Sequence, residues 1–187
     1  MTTGQIIGII IAVAVILVLI YIFTTYNSLV KMKNKVEEAF STMDVYLKKR
    51  WDLIPNIVST VKGYAKHEAE TLENVIKARN SNYQNMSEEE KIEANASISK
   101  SIPNFSVLAE QYPDLKANQN FLDLQAQLEG TENRIAVERR KFNDVARSYN
   151  AFILQFPRNL VAGMFGFTSK PYFEANAGAE NAPKVEF

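Results

Sequence analysis

The feature that most constrains this chain is an uncharged apolar segment near its N-terminus, Ile6 to Phe23. With its neighbours it reaches the roughly 20 residues that an α-helix needs to cross about 30 Å of hydrocarbon. Inside a bilayer every backbone N–H and C=O must bond within the segment, and a helix satisfies this condition. The sequence therefore predicts a transmembrane helix over residues 5–26, after a short N-terminus of residues 1–4.

A cleaved signal peptide is the alternative explanation for such a segment. Signal peptides begin with a basic region and have a shorter apolar stretch. This N-terminus has no Lys or Arg, and the small residues Ala12 and Ala14 lie in the middle of the segment, where cleavage would leave half of it behind. These features favour a retained anchor that contacts the lipid bilayer.

The orientation of the anchor follows from the basic residues around it. No Lys or Arg precedes the segment, whereas Lys31, Lys33 and Lys35 follow it. Flanking regions rich in Lys and Arg stay in the cytoplasm. We therefore expect a single-pass protein of the inner cell membrane, with its N-terminus outside and the rest of the chain in the cytoplasm.

The composition of the 187 residues excludes several classes of function. There are 21 basic and 21 acidic residues, and a net charge of zero argues against nucleic acid as a partner, because phosphate binding needs an excess of Lys and Arg. Cys is absent, which removes disulfides, thiolate metal sites and Cys nucleophiles, and His67 is the only His. The sequence predicts no catalytic, cofactor-binding or metal-binding residues, and no cofactor.

Residues 27–173 predict a helical bundle, because apolar residues recur at seven-residue spacing and no stretch has the alternation of a β-strand. The fold class is therefore all-α: a single N-terminal transmembrane helix, followed by an antiparallel up-and-down bundle of three to four long helices. The rows are Leu29, Val36, Met43, Ile57 and Tyr64; Phe40, Leu47, Ile54, Val61 and Val75; and Phe121, Leu128, Ile135, Phe142, Tyr149 and Phe156, with Leu124, Val145 and Phe152 beside the last.

Local signals indicate the ends of the later helices. A capping-box pattern from Ser87 to Glu90 opens the second long helix. We expect this helix to run to about Gln111 and to stop at Tyr112, because Pro113 disfavours helical backbone in the residue before it. The last long helix is expected from about Ala117 to Pro157. Residues 174–187 are small and polar and predict a flexible tail.

The first long helix carries a possible break at Asp52 to Pro55. The apolar rows keep their phase through this point, which favours a kinked but continuous helix to about Tyr83. Such a helix would extend about 80 Å from Leu29, and the second would return only about 35 Å, with the third running away from the membrane again. Either the chain folds back at Asp52 to Pro55 as a compact four-helix monomer, or neighbouring chains cover the remaining apolar length. We favour the second alternative and expect homo-oligomers formed around Val36, Phe40, Met43 and Leu47.

Two charged residues interrupt the apolar rows, Arg50 and Glu138. A charge on a packed face is costly unless it is paired or reaches water. We favour positions at the edge of the rows, from which both long side chains reach water. The alternatives are an ion pair of Arg50 with Glu138 or with Glu132, and a ligand-binding role.

Other candidate residues give weaker signals. His67-Glu68 begins a zinc-protease pattern, but Thr71 stands where a second His is required. The runs Lys48-Lys49-Arg50 and Arg139-Arg140-Lys141 could attract anionic lipid, although solvated faces are the commoner role of such runs. The apolar stretch from Arg158 to Phe173 either touches the membrane or a partner or, as we expect, folds back over an end of the bundle.

Two long blocks of the sequence resemble the LemA family. They are DVYLKKRWDLIPNIVSTVKGYAKHEAETLENVIKARN, Asp44 to Asn80, and LEGTENRIAVERRKFNDVARSYNAFILQFPRNLVAGMFGF, Leu128 to Phe167. Phe40 stands where members of that family often have Trp. The resemblance implies a bacterial single-pass membrane protein with a cytoplasmic helical bundle and no established catalytic activity. Relatives in magnetosome-forming bacteria imply a link to membrane organisation.

These observations give a leading hypothesis and two alternatives. The leading one is a membrane-anchored cytoplasmic scaffold or interaction protein that self-associates and has an unknown membrane or cytoplasmic protein partner. The first alternative is a metal-dependent or hydrolytic activity in the bundle, using Glu132, Glu138 and His67. The second is a regulatory partner of a membrane protease or transporter.

Overall fold

A computed structural model of the chain describes residues 2–79, 82–102 and 104–173. The predicted tail, 174–187, lies outside these ranges. The described residues form seven α-helices and two short 3₁₀ turns, Lys66–Glu68 and Tyr83–Asn85, and no β-strand, so the all-α prediction is confirmed. The helices are α1 (Thr3–Tyr64), α2 (Ala69–Ala78), α3 (Glu88–Ser101), α4 (Phe105–Gln111), α5 (Pro113–Lys116), α6 (Gln119–Leu154) and α7 (Arg158–Met164).

Helix α1 continues through Pro55, as the phase of the apolar rows predicts. A Pro inside a helix has no N–H, so the carbonyl four residues earlier, that of Trp51, loses its helical partner. The side chain of Arg79 replaces that partner: its Nε donates to the Trp51 carbonyl oxygen at 2.8 Å. The Arg79 guanidinium also lies 5.6 Å from the centre of the Trp51 ring, a favourable cation–π distance.

Two predicted helix boundaries are wrong. The first helix ends at Tyr64 rather than near Tyr83, just after Gly63, a residue that weakens helices, and α2 follows after a 3₁₀ turn. The second helix is interrupted at Ile102, where Pro103 follows in the sequence and disfavours helical backbone in the residue before it. The capping box at Ser87 and Glu90 is confirmed by reciprocal hydrogen bonds of 3.2 and 2.7 Å.

The chain forms two compact units, one of Met1–Ala39 with Asn143–Tyr172 and the other containing Phe40–Phe142. In the second unit, three contacts between α1 and the chain around α6 fix their relative direction. Tyr64 bonds with Asn118, Arg50 with Glu132, and Phe40 packs on Phe142 with ring centres 5.8 Å apart. The numbers rise on one side as they fall on the other, so α6 runs antiparallel to α1.

Helix α3 runs parallel to α1 in the same unit, because Asp44 pairs with Lys91 and Arg50 with Ser99. The chain therefore runs back along α1 in the short α2, whereas the sequence predicted that the second long helix would do so. As a result, the last long helix runs against α1 and not along it, which corrects the predicted direction.

The predicted apolar rows form the core. All members of the three rows are buried except two: Tyr64 is 41% exposed and Phe156, beyond the end of α6, is 80% exposed. Past Phe142 the buried face of α6 moves to Ala146, Asn150 and Ile153. A helix of 3.6 residues per turn drifts in this way from a strict seven-residue repeat.

The residues at which we expected self-association are buried within a single chain. Val36, Met43 and Leu47 are fully buried and Phe40 is 4% exposed. These four side chains belong to the core of one molecule, so the predicted interface at this position is wrong.

Candidate functional site

A buried arginine is the centre of an extended polar network in the unit that contains Phe40–Phe142. Arg50 occupies a core position of α1 between Met43 and Ile57 and is only 1% exposed. Its two terminal nitrogens donate to the carbonyl oxygen and Oδ1 of Asn95 at 2.9 and 2.8 Å and to Ser99 Oγ at 2.8 Å. A third partner is the carboxylate of Glu132, at 2.9 and 3.1 Å.

The network extends from Asn95 to a second charged pair. The Tyr83 hydroxyl donates to Asp44 at 2.6 Å, and Lys91 Nζ donates to the other oxygen of that carboxylate at 2.8 Å. Burial raises the pKa of Tyr83, and the hydrogen bond to Asp44 and the charge of Asp44 raise it further. The phenol is therefore a permanent donor, and Lys91 also lies 5.1 Å from the centre of its ring.

The guanidinium of Arg50 is held among protein acceptors on two other helices. Its two terminal nitrogens are directed at fixed protein acceptors, whereas its buried Nε has no hydrogen-bond partner among the described residues. The side chain of Glu132 is 39% exposed, so the Arg50–Glu132 ion pair contacts solvent through Glu132. It lies on the edge of an open groove of about 510 Å³ that is also lined by Ser99, Phe105, Gln125, Leu128 and Glu129.

The structure decides between the interpretations of the charged core residues. The Arg50–Glu132 ion pair is confirmed, and the preferred edge position of Arg50 is wrong. Glu138 is also buried, at 8% exposure, and its carboxylate accepts from Lys141 Nζ at 2.8 Å. Because Arg50 is buried and Lys48 bonds with Asp52, the run 48–50 does not form a basic surface patch.

The residues of the hypothetical metal or hydrolytic site lie apart. His67 is exposed on the 3₁₀ turn after α1, while Glu132 and Glu138 are engaged with Arg50 and Lys141. Within the described ranges, no three His, Cys, Asp or Glu side chains are grouped so as to hold a metal ion.

Sequence reasoning missed Asn95, Tyr83 and the Asp44–Lys91 pair. Asn95 is fully buried although it is polar. Its position carried a signal, because it lies three residues from both Ile92 and Ile98 and therefore on the apolar face of α3. Tyr83 carried no such signal, because its burial depends on the turn between α2 and α3.

The other unit presents an apolar surface. The stretch from Arg158 to Phe173 was expected to cover an end of the bundle, but it is only partly buried. Val161 and Ala162 are 3% exposed, whereas Leu160 and Met164 are 58% and 70% exposed. These two side chains help to line a groove of about 490 Å³ whose other wall is Leu17, Val18, Tyr21 and Ile22 of α1.

The chain is similar in sequence to LemA proteins and, over a shorter stretch, to magnetosome proteins. The sequence model of the LemA family matches residues 39–187. Protein LemA of Metamycoplasma hominis is 27% identical over 152 residues, which are 80% of this chain and 69% of that protein. Magnetosome protein MamQ 2 of Paramagnetospirillum magneticum is 33% identical over 67 residues, 36% of this chain and 25% of that protein. Magnetosome protein MamQ of Magnetospirillum gryphiswaldense is 33% identical over 66 residues, which are 24% of its length.

Proposed function

The chain belongs to the LemA family, and from this premise we propose that it is a membrane-anchored helical scaffold that acts by binding and not by catalysis. In this proposal α1 anchors the chain in the inner cell membrane, and the bundle presents interaction surfaces on the cytoplasmic side. The partners are a membrane or cytoplasmic protein and further copies of the chain.

The observation that carries this proposal is the exposure of the apolar part of α1. Its most apolar window of 18 residues has a mean hydropathy of 3.4, and none of it is buried within the molecule. A core helix of a water-soluble protein has a similar composition but is covered by the rest of its fold. Exposing this many large apolar side chains to water would be very unfavourable, at about 25 cal/mol for each Å².

The continuity of α1 favours an anchor over a cleaved signal. The apolar segment and the buried rows of the bundle belong to one helix, Thr3–Tyr64. Cleavage within this helix would divide an element that also carries the buried Leu29. The basic residues Lys31, Lys33 and Lys35 then support a cytoplasmic bundle.

The scaffold role is supported by the character of the polar network and by the relatives. Arg50, Asn95 and Glu132 are engaged with one another, which favours a structural role for the charged core. The likeness to magnetosome proteins covers a quarter of their length and supports a role in membrane organisation. In this proposal self-association uses a surface other than the buried row around Phe40 and Leu47.

Alkaline carbonate extraction of membranes tests the anchor. We expect the full chain to remain in the membrane pellet, whereas Ile10→Lys with Leu17→Lys should release a still helical protein, because two charges in the hydrocarbon are costly. The matched control is Val45→Lys with Val107→Lys, at positions of the bundle that are 65% and 56% exposed. Release of the unchanged chain by carbonate would contradict the proposal.

Two measurements on the purified full chain test the remaining parts of the proposal. Metal analysis should find no stoichiometric iron, manganese or zinc, and a bound metal at one ion per chain would overturn the non-catalytic assignment. Light scattering in detergent, with crosslinking in membranes, should show assemblies larger than one chain. A monomer in both experiments would remove self-association from the proposal.

A further inference from the structure

Helix α7 is apolar on more than one face. No charged residue occurs between Asn159 and Phe167. One face of the helix carries the buried Val161 and Ala162, and another carries Leu160 and Met164, which are exposed. Exposed apolar side chains of this size on one helix face mark a surface that contacts a membrane or another protein.

The neighbours of α7 belong to the apolar part of α1. Leu160 and Met164 share one groove with Leu17 and Ile22, and the ring of Phe165 lies 4.8 Å from that of Tyr26. With a rise of 1.5 Å per residue, Ile22 lies about 6 Å and Leu17 about 14 Å from Tyr26 along the helix axis. If Tyr26 is at the level of the headgroups, α7 lies at the depth of one leaflet, which is about 15 Å thick.

The ends of α7 suit a segment that enters and leaves a membrane on the same side. At its beginning, the Arg158 guanidinium lies 4.2 Å from the centre of the Phe152 ring, so its charged end can reach the headgroups along an apolar stem. At its end, Gly166 has a φ of 71°, a conformation that favours glycine. The amides of Gly166 and Phe167 bond back to the carbonyls of Gly163 and Ala162 at 3.4 and 2.9 Å, which satisfies the end of the helix.

The chain is then held beyond the turn. The Asn150 side chain, on α6, makes two hydrogen bonds with the backbone of Lys170, at 2.8 and 2.9 Å. The polar residues Thr168 and Ser169 precede this contact. The apolar stretch is thus bounded by polar contacts at a defined place on α6.

On these grounds we propose that residues 156–167 form a second, non-spanning membrane contact, in which α7 lies in the same leaflet as Leu17 to Ile22 and lipid acyl chains fill the groove between them. This inference rests on the proposed membrane anchor. Lipid is the occupant that the geometry favours, because one wall of the groove is itself part of the segment that is proposed to be in hydrocarbon. A second copy of the chain or a protein partner would have to displace lipid from both walls.

Spin labels on single cysteines test this contact, and the chain has no Cys of its own. The full-length variants are Met164→Cys and Leu160→Cys in α7, Leu17→Cys as the bilayer reference and Val107→Cys as the water reference. Each is reconstituted in vesicles of phosphatidylethanolamine and phosphatidylglycerol, and collisions of the label with oxygen and with a water-soluble nickel chelate are measured. We expect both α7 labels to match the Leu17 label. Their ratio of oxygen collisions to nickel collisions should be at least about fivefold higher than that of the Val107 label.

The other outcomes would each overturn the proposal. Nickel contact at the α7 labels, with the Leu17 label still in lipid, would put α7 in water and leave the anchor intact. Loss of both kinds of collision would mean that protein covers α7, and spin–spin broadening in addition would identify a second copy. Nickel contact at the Leu17 label would remove the anchor itself, and with it the proposed function.

Discussion

Arg50 is the residue through which three helices of the bundle are joined. From α1 its guanidinium reaches Asn95 and Ser99 on α3 and Glu132 on α6. A guanidinium presents several donors in one plane, whereas the ammonium of Lys is a compact charge that cannot reach all of these acceptors together. The position therefore requires the shape of Arg as well as its charge.

We expect Arg50→Lys to lower the free energy of unfolding of the full chain in detergent by about 2–4 kcal/mol, because hydrogen bonds to a charged group contribute about 1.5–3 kcal/mol each. The same chemical change at an exposed site, Arg140→Lys, should cost less than about 0.5 kcal/mol. Urea unfolding followed by circular dichroism measures both. Equal midpoints for the two variants would mean that the network does not hold the bundle.

Tyr83 makes the stability of the bundle depend on pH in the alkaline range. Its pKa in the folded protein is raised by burial and by Asp44, while in the unfolded chain it has the ordinary value of about 10. The folded state therefore keeps a proton that the unfolded state loses. The stabilisation is complete below about pH 10 and is lost progressively as the pH rises above that value.

The free energy of unfolding should therefore fall more steeply between pH 9 and pH 11 in the unchanged chain than in Tyr83→Phe, with a difference of about 1.4 kcal/mol over this interval. Urea midpoints of both proteins at the two pH values test this. Tyr172→Phe, at an exposed position, is the control for the substitution itself. If Tyr83→Phe and the unchanged chain have the same pH dependence, the hydroxyl is not held as described.

At the scale of elements, the continuity of α1 depends on a side chain from outside that helix. Pro55 leaves the Trp51 carbonyl without its helical partner, and Arg79 donates to it. Arg79 comes directly after α2, so this bond also ties the end of α2 to α1. A helix that carries a Pro in its interior is thus stabilised by its neighbour.

A double-mutant cycle tests whether Arg79 takes the place of the backbone N–H that Pro55 lacks. Arg79→Met should cost about 1–2 kcal/mol in the unchanged chain. In the Pro55→Ala background the cost should be smaller by about 1 kcal/mol, because the N–H of residue 55 then donates to the Trp51 carbonyl. Thermal and urea unfolding of the four proteins give the coupling energy. Strictly additive effects would show that Arg79 acts independently of Pro55.

The sequence predicts the elements of this fold better than their ends and their partners. The rows through Leu47 and Leu128 are buried as predicted, because the helical period alone decides which side of a helix faces the core. The end of α1 at Tyr64 depends on a 3₁₀ turn that has no strong local signal. The partners of Arg50 lie 45 to 82 residues away in the sequence, so they depend on the register between helices, which periodicity does not determine.

For the whole molecule, the central claim is that one helix crosses a membrane and continues into the bundle. The apolar window of α1 is not covered by the rest of the described chain, whereas the rows that follow in the same helix are buried. The two parts of α1 therefore differ in their surroundings, and the proposed membrane boundary close to Tyr26 would account for both.

The most direct test is the labelling of single cysteines on either side of the proposed span by a membrane-impermeant maleimide. Thr2→Cys lies before the apolar window and Val107→Cys lies on the exposed face of α4. We predict that intact cells label Thr2→Cys, and that Val107→Cys is labelled only after the inner membrane is opened. Labelling of Val107→Cys in intact cells, or equal labelling of the two sites before and after opening, would contradict the anchored, cytoplasmic arrangement.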